Sequence, residues 1–254
     1  MFRVLTLNTH KGFSSFNRRF VLHELRLAIR SSAADIVFLQ EVVGEHMRKA
    51  RKYAAWPATP QHEFLADEIW PDHAYGKNAV YRHGHHGNAI LSRYPIVHAV
   101  KVDVSTNRVE QRGFLHCIIK PPEQLHLLHC ICVHMGLFSS SRRKQLSMLA
   151  DYVGKNVPRE LPLIVAGDFN DWSQTGNGAF GEALGLRDAA VVTRGKLART
   201  FPARLPILAL DRIYCRGLTA TGSGIYHKDQ WFKLSDHAGL FADVAFPPVR
   251  LGAR

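Results

Sequence analysis

The sequence predicts an α/β or α+β fold in which sheet packs on sheet, and three observations carry that reading. Short apolar runs rich in β-branched residues recur along the chain, bounded by Gly, Pro, Asn and Asp. Helical periodicity is confined to two segments, so strands dominate. Carboxylates, carboxamides and imidazoles stand one after another at the ends of the apolar runs, which is where an α/β enzyme assembles its site.

In chain order, residues 2–7 read as a first strand ending at Asn8. Residues 17–31 place Phe20, Val21, Leu25, Ala28 and Ile29 near helical spacing and read as an amphipathic helix. Strands follow at 36–40, which delivers Glu41, then at 89–93, 112–119 and 125–133, the last leading into His134. Residues 140–154 read as a second helix through Leu146, Leu149 and Val153. The strand at 162–166 runs into Asp168 and Asn170. Residues 208–215 contain Asp211, and 238–246 follow directly on Asp236 and His237. If the chain stays extended past 166, the two-residue spacing of Asp168 and Asn170 projects both side chains to one side.

These residue types in combination describe a metal-assisted hydrolytic centre for phosphoesters. A phosphate ester is anionic and repels water, so its hydrolysis calls for a divalent cation and for a polar group that orients the attacking water. Glu41 and Asp236 suit hard Mg²⁺ or Mn²⁺, which prefer oxygen donors. His134 and His237 can donate to phosphate oxygens or move protons near neutral pH.

The motifs that carry these residues are LTLNTHKG at 5–12, FLQEV at 38–42, GNAILSRYPI at 87–96, QRGFLHC at 111–117, CVHMGL at 132–137, VAGDFND at 165–171, LDRIYC at 210–215 and LSDHAGL at 234–240. In this order, and over nearly the whole chain, they resemble the endonuclease/exonuclease/phosphatase superfamily, also called deoxyribonuclease I-like. The resemblance implies a four-layer sandwich, two mixed β-sheets face to face with helices outside. It implies a divalent-metal-dependent phosphoester hydrolase, a phosphodiesterase acting on nucleic acid or phospholipid, with Glu41 as the principal metal carboxylate and Asn8 and Asp236 completing the site. Asp168 and Asn170 would orient the nucleophilic water, His134 and His237 would contact the phosphate, and Asp211 would hold the His237 ring in one tautomer.

The pattern also departs from the family. His10 stands where DNA-repair members carry Asp, which makes repair chemistry less expected. CVHMGL lacks the usual Thr before its His, and no carboxylate partner for His134 is evident. Taken singly, Asn8 and Asn170 read as turn formers and Asp211 as a partner for Arg212. Their joint occurrence in family order is what favours a site. Arg112 reads equally as a phosphate contact or a surface strand residue.

The net charge of +12 against an acidic candidate site suits a polyanionic partner, nucleic acid or an anionic lipid surface. A non-catalytic binding module for either is the alternative, although such a module has no need of the full set of acids and imidazoles. Motifs from residue 8 to 237 feed one site, so residues 1–246 are expected to form one catalytic domain and 247–254 a flexible tail. A monomer is the expected state. Cys117, Cys130, Cys132 and Cys215 read as buried reduced thiols. These, with an amino terminus that passes straight into a strand, favour the cytoplasm. His83, His85 and His86 read as a solvated Gly-containing loop. Basic runs at 48–53 and 141–145 read as solvated helix faces, and Trp70, Trp172 and Trp231 as core, stacking or lipid-interface residues.

Overall fold

The computed structural model describes residues 1–107, 110–122, 124–172 and 177–247, with the side chains of 177–179 outside the description. The expected tail from residue 248 onward lies outside the described residues. The chain runs β1 (Phe2–Asn8), α1 (Leu22–Ser31), β2 (Ile36–His46), α2 (Met47–Lys52), α3 (Gln61–Ala66), β3 (Asp72–Tyr81), β4 (Gly84–Ser92), β5 (Ile96–Asp103) and β6 (Gly113–Ile119). It continues with β7 (Leu128–His134), α4 (Ser139–Asn156), β8 (Leu163–Asp168), α5 (Asn177–Leu184), β9 (Arg187–Asp188), α6 (Ala189–Arg194), β10 (Asp211–Arg216), β11 (Thr219–Tyr226) and β12 (Gly239–Ala245).

Two mixed six-stranded sheets result, one in the order β11-β12-β1-β2-β4-β3 and the other β5-β6-β7-β8-β10-β9. Their facing sides share one core, in which Val4, Ile36, Phe38 and Ile90 meet Cys117, Cys130, Cys132, Ile164, Ala166 and Ile213. The outer face of the first sheet, through Leu5, Leu7, Val37 and Leu39, packs on Leu22, Leu25 and Ile29 of α1. The outer face of the second, through Ile131, Val133, Leu163 and Val165, packs on Leu146, Leu149 and Val153 of α4. The expected layers are therefore present.

Strand periodicity then positions the site. Side chains alternate faces with period two, so Val4, Thr6 and Asn8 share the inner face of β1. On the same grounds Cys130, Cys132 and His134 share the inner face of β7, Ile164, Ala166 and Asp168 that of β8, and Asp211, Ile213 and Cys215 that of β10. The candidate residues are the polar continuation of the shared apolar core at one end of the sandwich. Register completes the alignment: His134 pairs with Asp168, and Asp168 with Asp211, across three neighbouring strands. Gly167, with φ +146°, lets β7 and β8 approach there, since a Cβ would collide with the Val133 carbonyl oxygen.

Several expectations need correction. The first helix starts at Leu22, because Phe13 and Phe20 pair as an isolated bridge and the loop between them carries positive φ at Phe16 (61°) and Asn17 (55°). His85 and His86 lie in β4, partly buried, with Tyr75 Oη and His85 Nδ1 3.0 Å apart. They are not a solvated loop. In the run at 141–145, Arg142 and Gln145 are buried. Arg142 donates to the carbonyls of Gly136 and Leu137, and Gln145 accepts from the Gly136 amide. Trp70 is core, donating to the Ala34 carbonyl, Trp231 stacks on Tyr226, and Trp172 is exposed. The four cysteines are buried and free. Among the described residues no helix is long and apolar enough to cross a membrane.

Candidate functional site

One carboxylate oxygen is the hub. Asp168 Oδ2 accepts a hydrogen bond from Asn8 Nδ2 at 3.2 Å and lies 3.6 Å from His134 Nε2 and 3.7 Å from His237 Nε2. Its other oxygen accepts the Asn170 amide at 2.9 Å. Asn170 itself has φ 50° and its Nδ2 donates to the Met135 carbonyl. The strand has ended at Asp168, so the same-side projection expected from an extended chain does not occur; an Asx turn joins the pair instead.

His237 arrives from the loop before β12 and completes the centre. Its Nδ1 is 2.9 Å from Asp211 Oδ2, and its backbone N–H donates to Ser235 Oγ, whose hydroxyl donates to the Asn8 carbonyl at 2.6 Å. Asp211 is not the partner of Arg212. The two point to opposite faces of β10, and Arg212 Nε faces Asp188 Oδ2 at 3.8 Å. His134, for which no partner was evident in the sequence, has its Nε2 3.6 Å from Asp168 Oδ2.

The electrostatics push neighbouring groups apart. Burial raises the Asp168 carboxyl to about 7, with the Asp211 charge adding to the effect. Burial alone would lower the His237 imidazole, but the Asp211 and Asp168 carboxylates more than reverse this, to about 10. His134 is held well below its usual value by burial and by the Arg112 charge. At neutral pH the centre thus holds one imidazolium, one neutral imidazole and one carboxyl near its midpoint. Groups set apart in this way suit acid and base work.

Glu41 sits in a β-bulge between Leu39 and Val42, with φ 55°, a conformation that re-aims its side chain. Lys11 Nζ bonds Glu41 Oε2 at 2.8 Å. Although burial opposes ionisation, Lys11 and His134 hold the carboxyl far below the ordinary range. Asp236, in the loop before β12, has its Oδ2 3.9 Å from His10 Nε2. Asn8 Oδ1 accepts the His10 amide at 3.0 Å. Arg112 is no surface strand residue: its guanidinium donates to the Met135 carbonyl at 3.2 Å and to Glu110 at 3.0 Å.

Sequence reasoning missed Lys11 and His86. His86 is pressed toward neutrality by burial, to about 4, and feels the charges of Lys11, Glu41 and Arg112. The available signal was its position two residues before the buried Asn88 on one strand face. Lys11 lay inside LTLNTHKG without a chemical role attached to it.

Residues 5–237 match the model of the Endonuclease/Exonuclease/phosphatase family. The chain belongs to that family, whose members include metal-dependent phosphoesterases and nucleases. It is 49% identical over 243 residues, 96% of either chain, to the uncharacterized protein YbhP of Escherichia coli K12. Among solved structures it resembles an endonuclease/exonuclease/phosphatase from Beutenbergia cavernae, with TM-score 0.79 at 19% identity over 100% of this chain and 73% of that one. It also resembles D. rerio TDP2 complexed with single strand DNA product, with TM-score 0.70 at 18% identity over 96% and 98% of the two chains. At such identities the structures speak for the fold.

Proposed function

We propose that the protein is a divalent-metal-dependent phosphodiesterase acting on a polyanionic substrate, with residues 1–246 as its catalytic unit. The observation that carries the reading is the buried Asp211–His237–Asp168 network beside neutral His134, because a merely folded sheet end gains nothing from burying two carboxylates and two imidazoles.

Family enzymes in general use a divalent metal, and the donor set here fits one. Glu41 is an ionised carboxylate that already attracts a cation, the Lys11 ammonium, and Asp236 and Asn8 add hard oxygen donors. Mg²⁺ or Mn²⁺ held by Glu41, Asn8 and Asp236 would supply charge neutralisation at the phosphate. A second cluster of possible ligands, Asp168, Asp211 and His237, has its atoms within 4.8 Å of one another. Those atoms are largely engaged in hydrogen bonds, so they are assigned to proton handling.

The protein's own groups then divide the work. Asp168 takes a proton from the attacking water, which Asn170 helps to orient, and as the new P–O bond forms the P–O bond to the leaving alkoxide breaks, the alkoxide taking its proton from solvent. Asp211 fixes the His237 tautomer and keeps the ring charged, so that Nε2–H donates to a non-bridging phosphate oxygen. His134, as a neutral imidazole, and Arg112 contact the other phosphate oxygens.

A panel of DNA, RNA, phosphoinositide and glycerophospholipid substrates, assayed with Mg²⁺ and with EDTA, tests the reading. Turnover of one class that is lost in EDTA and restored by Mg²⁺ is expected. Binding of a polyanion with no turnover of any class in either condition would instead support a non-catalytic module.

A further inference from the structure

Two loops at the mouth of the candidate site share an unusual design. Residues 13–20 and 201–208 are each closed by an isolated bridge, Phe13 to Phe20 and Phe201 to Leu208. Each thrusts an apolar side chain into solvent at its tip. Phe16 is 82% exposed and Leu205 70% exposed. Each tip is also flanked by exposed arginine, Arg18 and Arg19 in the first loop and Arg204 in the second.

Both loops rest on the turn that carries Asp236 and His237. Ser15 Oγ donates to the Ser235 carbonyl at 3.3 Å, the Ala203 amide donates to the Asp236 carbonyl at 2.7 Å, and the Phe201 ring lies 5.0 Å from His237. Further exposed apolar residues border the same centre. Trp172, whose amide donates to the Asn170 carbonyl, meets the Phe201 ring at 5.9 Å. Leu137 and Phe138 follow the His134 strand and lead into α4, whose Arg143 and Lys144 are exposed. Ile207 stands beside Leu205.

We infer that this rim docks the mouth of the site onto an anionic phospholipid bilayer, with Phe16, Leu137, Phe138, Trp172, Leu205 and Ile207 entering the interface and the adjoining basic residues meeting the headgroups. Apolar residues beside Arg and Lys are the composition that binds at the headgroup boundary, by burial plus attraction to anionic lipid. Nucleic acid fits less well. Single strands are held by base stacking on aromatic faces, and Leu137, Leu205 and Ile207 have no such face. The inference deepens the proposed hydrolase by naming the polyanion, and it rests on that reading only for the assignment of a phospholipid diester as substrate.

The full chain should cosediment with vesicles of phosphatidylglycerol and phosphatidylcholine in equal parts, and only weakly with phosphatidylcholine alone. Trp172 fluorescence should be quenched by brominated acyl chains. The Phe16→Ser/Leu205→Ser variant should bind the anionic vesicles about tenfold more weakly or worse, since two interfacial apolar anchors are lost, with an unchanged melting temperature. Arg18→Gln/Arg204→Gln should weaken binding and flatten its salt dependence. Failure of the unaltered protein to bind anionic vesicles, or unchanged binding by the folded double variant, would overturn the inference. So would loss of single-stranded DNA binding in the double variant with vesicle binding intact. Whether a soluble diester is turned over bears only on the proposed hydrolase, so the two readings fail separately.

Discussion

His237 Nδ1 and Asp211 Oδ2 lie 2.9 Å apart, and both residues are almost fully buried. The contact joins a loop that leads into the first sheet to a strand of the second. It fixes which ring nitrogen faces Asp168. Asp211→Asn keeps the shape and removes the charge, so kcat should fall ~10–100-fold through loss of an orienting partner, while His237→Ala should cost ~10²–10⁴-fold. Turnover and thermal melting measured on the same preparations separate catalysis from folding. Normal turnover in folded His237→Ala would remove the imidazole from the mechanism.

The pH dependence follows from the same network. Asp168 is raised to about 7 and His237 to about 10. A base must be deprotonated and the phosphate donor protonated, so kcat/KM should rise through about 7 and fall through about 10. Stability runs differently. Both groups bind protons more tightly folded than unfolded, so their contribution is complete below the ordinary values of 3.8 and 6.5 and is lost as pH rises through the folded ones. A melting temperature that falls from pH 6 to 10, while activity climbs over the first part of that range, is the expected signature. A rate that is flat across pH 6 to 8 would contradict the base assigned to Asp168.

Glu41→Gln removes the charge that would hold the metal and leaves Lys11 facing a neutral acceptor in place of the carboxylate it now meets at 2.8 Å. Mg²⁺ should then be needed at concentrations higher by about tenfold or more, with circular dichroism unaltered. Metal titration of activity reads this out. An unchanged Mg²⁺ requirement would place the metal elsewhere.

Asn88 ties the sheets together behind the site, donating from Nδ2 to the carbonyls of Gly113 at 2.9 Å and Cys132 at 3.1 Å. Asn88→Ala leaves buried carbonyls with fewer partners and should cost ~2 kcal/mol, seen as a lower urea midpoint. An unchanged midpoint would show that the bridge contributes nothing to stability.

The division between what the sequence revealed and what it hid follows the sheet edges. The eight strands expected from apolar runs correspond to β1, β2, β4, β6, β7, β8, β10 and β12, all interior in their sheets. β3, β5, β9 and β11 lie at the four edges and were not anticipated. Interior strands are covered on both faces and read as continuous apolar runs, whereas edges carry polar and charged residues. DHAYGKNAVY of β3 is half polar for that reason.

The candidate site divides along a similar line. Asn8, His134, Asp168 and Asp211 were legible because they prolong the inner face of interior strands. Loop geometry was not: the Asx turn at Asn170, the bulge under Glu41 and the burial of His86 depend on backbone dihedrals and cross-strand register that no local pattern encodes. Arg142, in a run that resembles a solvated face, is buried because it satisfies the carbonyls of a turn from the preceding connection.

The hydrogen bond from Asn8 to Asp168 spans 160 positions of the chain and passes from one sheet to the other, and the Ser235 contact to Asn8 spans 227. Contacts so distant along the chain form only after much of the loop-closure entropy has been met. The centre is therefore a timekeeper of assembly. The first sheet is closed across a like span, with Phe2 of β1 pairing Val244 of β12, so on refolding from denaturant sheet dichroism and competence for hydrolysis should return together, and a nascent chain would remain chemically silent until its two ends meet.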